Sequence, residues 1–169
     1  YAYTKHLATR GIGELAVGID FGPIAVVGSY FVQTGIIDLN PLWASIPVGL
    51  MIANILWINE VPDIKADEQS GKRTLVARMG RTSAIRSFKV ILFLTYSWVV
   101  VMVFLKILPT MSLIMLLTVP MGIRAAKSAN QYVRKGRPLV PANATMVQIH
   151  LLGGLLISLA FILAKLLTR

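Results

Sequence analysis

Asp63 and Asp67 stand four residues apart in the stretch Asn59-Glu60-Val61-Pro62-Asp63-Ile64-Lys65-Ala66-Asp67-Glu68-Gln69-Ser70-Gly71-Lys72-Arg73-Thr74. On a helix that interval puts both carboxylates on one face, a turn apart. Such a pair suits a hard divalent cation like Mg²⁺, which takes oxygen ligands and often binds through one or two carboxylates plus substrate phosphates. Lys72 and Arg73 supply donors for the same phosphates. Asn59, Asp63 and Asp67 step by four and can converge; the structural alternative for Asn59 is a helix C-terminal cap. Pro62 lacks a backbone donor and fits a first helical turn, which predicts a short new helix starting there. The bland alternative for the whole stretch is a solvated, mixed-charge loop between membrane helices.

The elements that must position these groups are apolar. The chain has 169 residues, 56% hydrophobic and only 14% charged, with mean hydropathy +0.70. A typical soluble domain carries roughly 25% charged residues. The composition is that of an integral membrane protein. The absence of cysteine excludes a disulfide framework and a thiolate metal site. The net charge of +10 points first to cytoplasmic loops and anionic headgroups, with no nucleic-acid partner expected. The chain starts with Tyr and shows no signal peptide, so a piece of something longer is expected.

Five apolar runs follow one another: Leu15 to Val32, Leu42 to Asn59, Ile85 to Leu105, Thr110 to Ile123, and Met146 to Leu167. They predict an all-α, polytopic transmembrane bundle with five spanning helices. In the first run, Gly18 and Gly22 form a G-x-x-x-G spacing for close helix approach, and Pro23 should kink or unwind the helix. Asp20 lies inside this run; it lines a substrate cavity, or bonds a neighbouring helix near the interface. Trp43 and Trp57 sit near the ends of the second run as interfacial aromatics would. Arg78 to Ser83 reads as a turn, with Thr82 or Ser83 capping the next helix, and Lys106 to Pro109 as a second turn. Pro120 should bend the fourth run. His150, alone on an apolar face, reads as a packing residue, and the scattered methionines as core filling.

Basic residues set the orientation. Lys5 and Arg10, then the cluster from Lys65 to Lys89, then Arg124 to Arg137 all fall on one face of an alternating topology. The other face has Lys106, Lys165 and Arg169. The basic face, with Asp63 and Asp67, is therefore expected on the cytoplasmic side of the inner membrane. Paired acids, flanking cations and an apolar interior together suit a substrate with a diphosphate head and a long hydrocarbon tail.

The stretch from Asn59 to Thr74, with Leu75-Val-Ala-Arg-Met-Gly80 after it, resembles the second aspartate-rich motif of UbiA-type intramembrane prenyltransferases. Tyr1-Ala-Tyr-Thr-Lys5 is similar to that family's Y-x-x-x-K element. Gly11-Ile-Gly-Glu14, Phe21-Gly-Pro23 and Phe31-Val-Gln-Thr-Gly35 look most like the menaquinone branch, which prenylates 1,4-dihydroxy-2-naphthoate. Val140 to Leu152 resembles the start of that branch's last helix. The resemblance implies nine transmembrane helices around a cavity, with two aspartate-rich motifs binding Mg²⁺ and a polyprenyl diphosphate. It implies Asp63 and Asp67 as the second metal-binding, catalytic pair, with Asn59 at the head of the motif. Tyr1 and Lys5 would lie near the diphosphate or the aromatic acceptor. The family's first motif, N-D-x-x-x-D, is absent from residues 1–169. The expectation is the C-terminal part of one prenyltransferase domain, five helices of nine, with the N-terminal half supplied in cis or in trans.

Two alternatives stay open at this point. The acceptor could be 4-hydroxybenzoate, a tetrapyrrole or a glycerol-phosphate lipid, a choice kept open by Asp20 standing where that branch is expected to have an apolar residue. The other alternative is a non-enzymatic membrane transporter subunit, with Asp20, Asp63 and Asp67 on a cation path.

Overall fold

The structure, a computed structural model, describes residues 11–167. The first run forms one rod from Gly13 to Thr34. It consists of α1 (Gly13–Ile19), a π-helical turn (Asp20–Ile24) and α2 (Ala25–Thr34). Pro23 lies inside the π turn, where the missing N–H interrupts the regular ladder without ending the helix. Gly18 and Gly22 face Gly49 of α3 (Leu39–Gln69). A Cβ on Gly22 would stand 2.7 Å from the Gly49 Cα, and one on Gly49 would collide with the Gly18 carbonyl. The glycine spacing thus serves backbone-to-backbone contact between α1 and α3.

α3 runs unbroken through Pro47 and Pro62. No new helix begins at Pro62, and Asn59 is not a cap. Packing overrides the proline: Ile58, Val61 and Ile64 are buried on both sides of it, while Pro62 itself faces outward. At about 1.5 Å per residue the 31-residue helix is about 46 Å long. That exceeds a hydrocarbon core of about 30 Å, so one polar end extends beyond it.

α4 (Leu75–Phe104) starts at the Thr74 cap, whose Oγ1 accepts from Ala77 N at 3.1 Å. The helix therefore begins well before Thr82 and Ser83. The turn expected around them is a single break at Gly80, with φ 73°. Two side chains staple α3 to α4. Trp57 Nε1 donates to Ala84 O at 2.9 Å, and Asn54 Nδ2 donates to Phe88 O at 3.2 Å. Trp57 is therefore a buried core residue, not an interfacial anchor. Trp43 meets Trp98 at the other end, ring centroids 5.9 Å apart.

After the turn at Lys106 the chain forms a 3₁₀ stretch (Thr110–Thr118), then α5 (Val119–Lys135) and α6 (Val140–Leu167). Among the described residues four helices are long and apolar enough to cross a membrane: Gly13–Thr34, Leu39–Gln69, Leu75–Phe104 and Val140–Leu167. The fourth apolar run differs from expectation. It splits between the 3₁₀ stretch and the first turns of α5, and never forms one long apolar helix. It still lies alongside α4, with Tyr96 bonded to Thr118; further along α5, Arg81 of α4 lies over the Tyr132 ring.

The core lies among α3, α4, the 3₁₀ stretch, α5 and α6, around Met51, Ile58, Phe88, Met115, Met146 and Ile149. Large apolar side chains such as Phe93, Phe104, Leu117 and Leu155 point outward, as lipid-facing residues do. The fold is an all-helical membrane bundle, and the protein is an integral membrane protein.

Candidate active site at the polar end of the third helix

Asp63 and Asp67 lie one turn apart on the last part of α3, so the acidic stretch is helix rather than loop. Their environments differ. Asp63 is exposed, on the side that carries Asn59. Asp67 is only 9% exposed, on the buried side with Glu60 and Ile64. The helix ends at Ser70, and Gly71 turns the chain back with φ +75°. Lys72 N then donates to Asp67 O at 2.9 Å, and its Nζ comes within 3.5 Å of the Asp67 carboxylate. The turn brings Lys72 back over the acid that precedes it.

Beyond this ion pair, Lys72, Arg73 and Arg78, with Glu68 and Ala77, line an open cavity of about 510 Å³. Arg78 Nε donates to Arg73 O at 3.1 Å, which fixes its guanidinium beside the turn. Three cations around a cavity fit a multiply charged anion such as a diphosphate.

A second cavity of about 500 Å³ opens on the other flank of α3. Asp20 and Asn59 supply its polar groups, and Val17, Phe21, Ile52 and Leu56 much of its apolar wall. Asp20 thus lines a cavity, as one of its two readings had it. The Asn59 Oδ1 accepts from Asn143 Nδ2 of α6. Tyr1 and Lys5 lie outside the described residues.

Three residues at this end were not singled out from the sequence. Asn143 was quoted only within a longer match. Glu14 and Glu60 stand inside stretches that carry the family resemblance but have no role of their own there, yet both are buried. Glu14 Oε1 accepts from Leu75 N at 3.0 Å. An acid that starts one apolar run, paired with one that ends the next, is the signal that would have found them.

Among the described residues no three acidic or histidine side chains converge into a ready-made metal cage. Mg²⁺ does not need one, since it keeps several waters and shares substrate phosphates. Asp63, open to solvent, and Asp67, a turn away beside a cation-lined cavity, are a donor set that fits such an ion.

Residues 1–151 match the model of the UbiA prenyltransferase family. The chain belongs to the UbiA prenyltransferase family. Similar relatives include 1,4-dihydroxy-2-naphthoate octaprenyltransferase of Bacillus subtilis, 28% identical over 97% of this chain and 53% of the relative. The protein of the same description from Mycobacterium tuberculosis is 31% identical over 82% of this chain and 46% of its own length. Human UbiA prenyltransferase domain-containing protein 1 is 34% identical over 72% and 36%. The chain spans about half the length, or less, of these relatives. Membership of the UbiA family gives no support to the transporter reading.

Proposed function

We propose that residues 1–169 are the C-terminal part of one transmembrane prenyltransferase domain. It moves a polyprenyl group from its diphosphate to an aromatic quinone precursor, 1,4-dihydroxy-2-naphthoate, in menaquinone biosynthesis. The observation that carries this reading is the Asp67–Lys72 ion pair, one turn from exposed Asp63, at the lip of the cavity lined by Lys72, Arg73 and Arg78. The names of the bacterial relatives support the choice of acceptor.

In the reaction the allylic C–O bond breaks and diphosphate leaves with the electron pair. Asp63 and Asp67 would hold Mg²⁺, which would supply neutralisation of the charge on the leaving diphosphate. Lys72, Arg73 and Arg78 donate to the diphosphate oxygens, with Lys72 held towards Asp67 and Arg78 towards the Arg73 carbonyl beforehand. The apolar wall of Ile52, Leu56 and Phe21, on the other flank of α3, gives an apolar surface for the hydrocarbon tail or the acceptor ring. The electron-rich ring then forms the new C–C bond to the allylic carbon and regains aromaticity by losing the group the attacked ring carbon carried, as a proton or as CO2. Asn59, held by Asn143, borders both the acids and this cavity. Tyr1 and Lys5 belong near the diphosphate or the acceptor. The site faces the cytoplasmic side of the inner membrane, and the first aspartate-rich motif comes from an N-terminal half in cis or in trans.

The test combines this chain with such a half in proteoliposomes containing Mg²⁺, a polyprenyl diphosphate and a panel of acceptors. Prenylated 1,4-dihydroxy-2-naphthoate and released diphosphate are expected. Product on 4-hydroxybenzoate, a tetrapyrrole or a glycerol-phosphate lipid instead would reassign the acceptor. No product with any of them would overturn the reading.

A further inference from the structure

Glu14 and Glu60 are among the least exposed charged-type residues described, at 3% and 6%. One opens α1 and the other sits near the end of α3, and their side chains lie within hydrogen-bond reach of each other. Each keeps one buried oxygen, Oε2, without any other partner. Two ionised carboxylates are acceptors only and cannot bond. Left so, they would bury two like charges side by side, which is costly. A carboxylic acid facing a carboxylate removes one charge and gives both oxygens a partner.

The pair is tied to the phosphate side of the molecule. Glu14 spends its other oxygen on Leu75 N, at the first turn of α4. Gly11, just ahead of α1, packs against the same place, and a Cβ there would lie 3.3 Å from both Arg73 O and Leu75 N. The segment from Ser70 to Thr74 is thereby held between two anchors. At one end Ser70 and Lys72 bond back to Asp67 O, and at the other Glu14 grips Leu75. Glu60 links that grip to α3, one helical face along from Asp67.

We propose that Glu14 and Glu60 form a hydrogen-bonded carboxyl pair that joins α1, α3 and the start of α4 and so positions Lys72 and Arg73 for the diphosphate. The proposal rests on the prenyltransferase reading for its ligand. The two acids are positioning residues; neither contacts the cavity lined by the cations.

The test uses the full protein with its complementary half, Mg²⁺ and farnesyl diphosphate. Glu60→Gln and Glu14→Gln keep a donor–acceptor contact, so their KM for the diphosphate should stay near wild type. Glu60→Leu fills the space without the bond and should raise that KM about tenfold while leaving the acceptor KM unchanged. Two readouts need no turnover. Infrared difference spectra should show a carboxylic-acid carbonyl band that Glu60→Gln removes. Amide exchange at Leu75 should speed up in Glu60→Leu and not in Glu60→Gln. A wild-type KM and unchanged exchange in Glu60→Leu would overturn the proposal. So would Gln variants as impaired as Leu, or the absence of the infrared band. Should Glu60→Leu fail to fold, the band and the Gln variants still decide. If wild type turns over no prenyl diphosphate, the functional reading fails, while the band and the exchange still judge the pair.

Discussion

The side-chain amide of Asn143, in the first turns of α6, donates to Oδ1 of Asn59, one turn before Asp63 on α3. The bond joins two helices 84 positions apart in sequence and borders the cavity that contains Asp20. It fixes which way the Asn59 amide faces, and with it which hydrogen-bonding group the cavity presents. Asn143→Ala and Asn59→Ala should each lower kcat/KM for the aromatic acceptor about fivefold, the worth of one net hydrogen bond of about 1 kcal/mol between exposed groups. The double variant should lose little more than either single one. A double-mutant cycle checks this, and full additivity would mean the two amides act separately.

The two aspartates should not respond alike. Asp63 is open, and its removal subtracts a donor from the site. Asp67 is nearly buried and pairs with the partly exposed Lys72, so Asp67→Ala also empties a packed position and breaks the ion pair. Both variants should cut kcat by about 100-fold or more, the range seen when a single group that stabilises leaving charge is lost. Only Asp67→Ala should also lower thermal stability, read by unfolding in detergent. Chelation of divalent ions should abolish wild-type activity, and added Mg²⁺ should restore it. Activity that survives chelation would remove the metal role from both.

Gly49 is where the first rod touches α3. Its missing Cβ leaves room for the Gly18 carbonyl, and Gly22 faces it from the next turn. Gly49→Val forces the backbones apart. It should destabilise the bundle by about 1–3 kcal/mol, measured as a fall in unfolding midpoint. A Cβ on Gly28, in the same rod, would meet nothing within 4 Å, so Gly28→Ala should not lower the midpoint in the same measurement.

How far these features could be read from the residue pattern depends on the range of the interaction. The glycine spacing is a local backbone matter and stands where the pattern put it, whereas the turn expected over Arg78–Ser83 shrinks to one break at Gly80 inside α4, whose cap is Thr74. Pro62 misled because proline signals a break only when nothing else holds the helix; buried Ile58, Val61 and Ile64 hold it. Trp57 misled for a similar reason. A tryptophan at the end of an apolar run serves equally as an interfacial anchor or as a staple, and only the position of Ala84 O decides. The Asp63/Asp67 spacing was visible, but not that one acid is exposed and the other buried, because that depends on α4. Glu14 and Asn143 acquire their roles only from partners 61 and 84 positions away.

Trp57 gives the last prediction. Its indole N–H donates to Ala84 O, four residues past the break at Gly80 where α4 departs from helical geometry. That carbonyl lies just where the helix resumes, and the indole is 6% exposed, so water cannot replace it. Trp57→Phe keeps most of the apolar contact and removes only the donor. It should cost about 0.5–1.5 kcal/mol, the net worth of one hydrogen bond, since Ala84 O keeps its place in the α4 ladder. The loss should show in thermal unfolding, with faster amide exchange around residues 80–84. Activity should fall only modestly, because Asp63 and Asp67 lie beyond Trp57 on a helix that Asn54 still ties to Phe88. If Trp57→Phe unfolds like wild type, the bond to Ala84 does not hold the break in α4, and packing alone sets its angle.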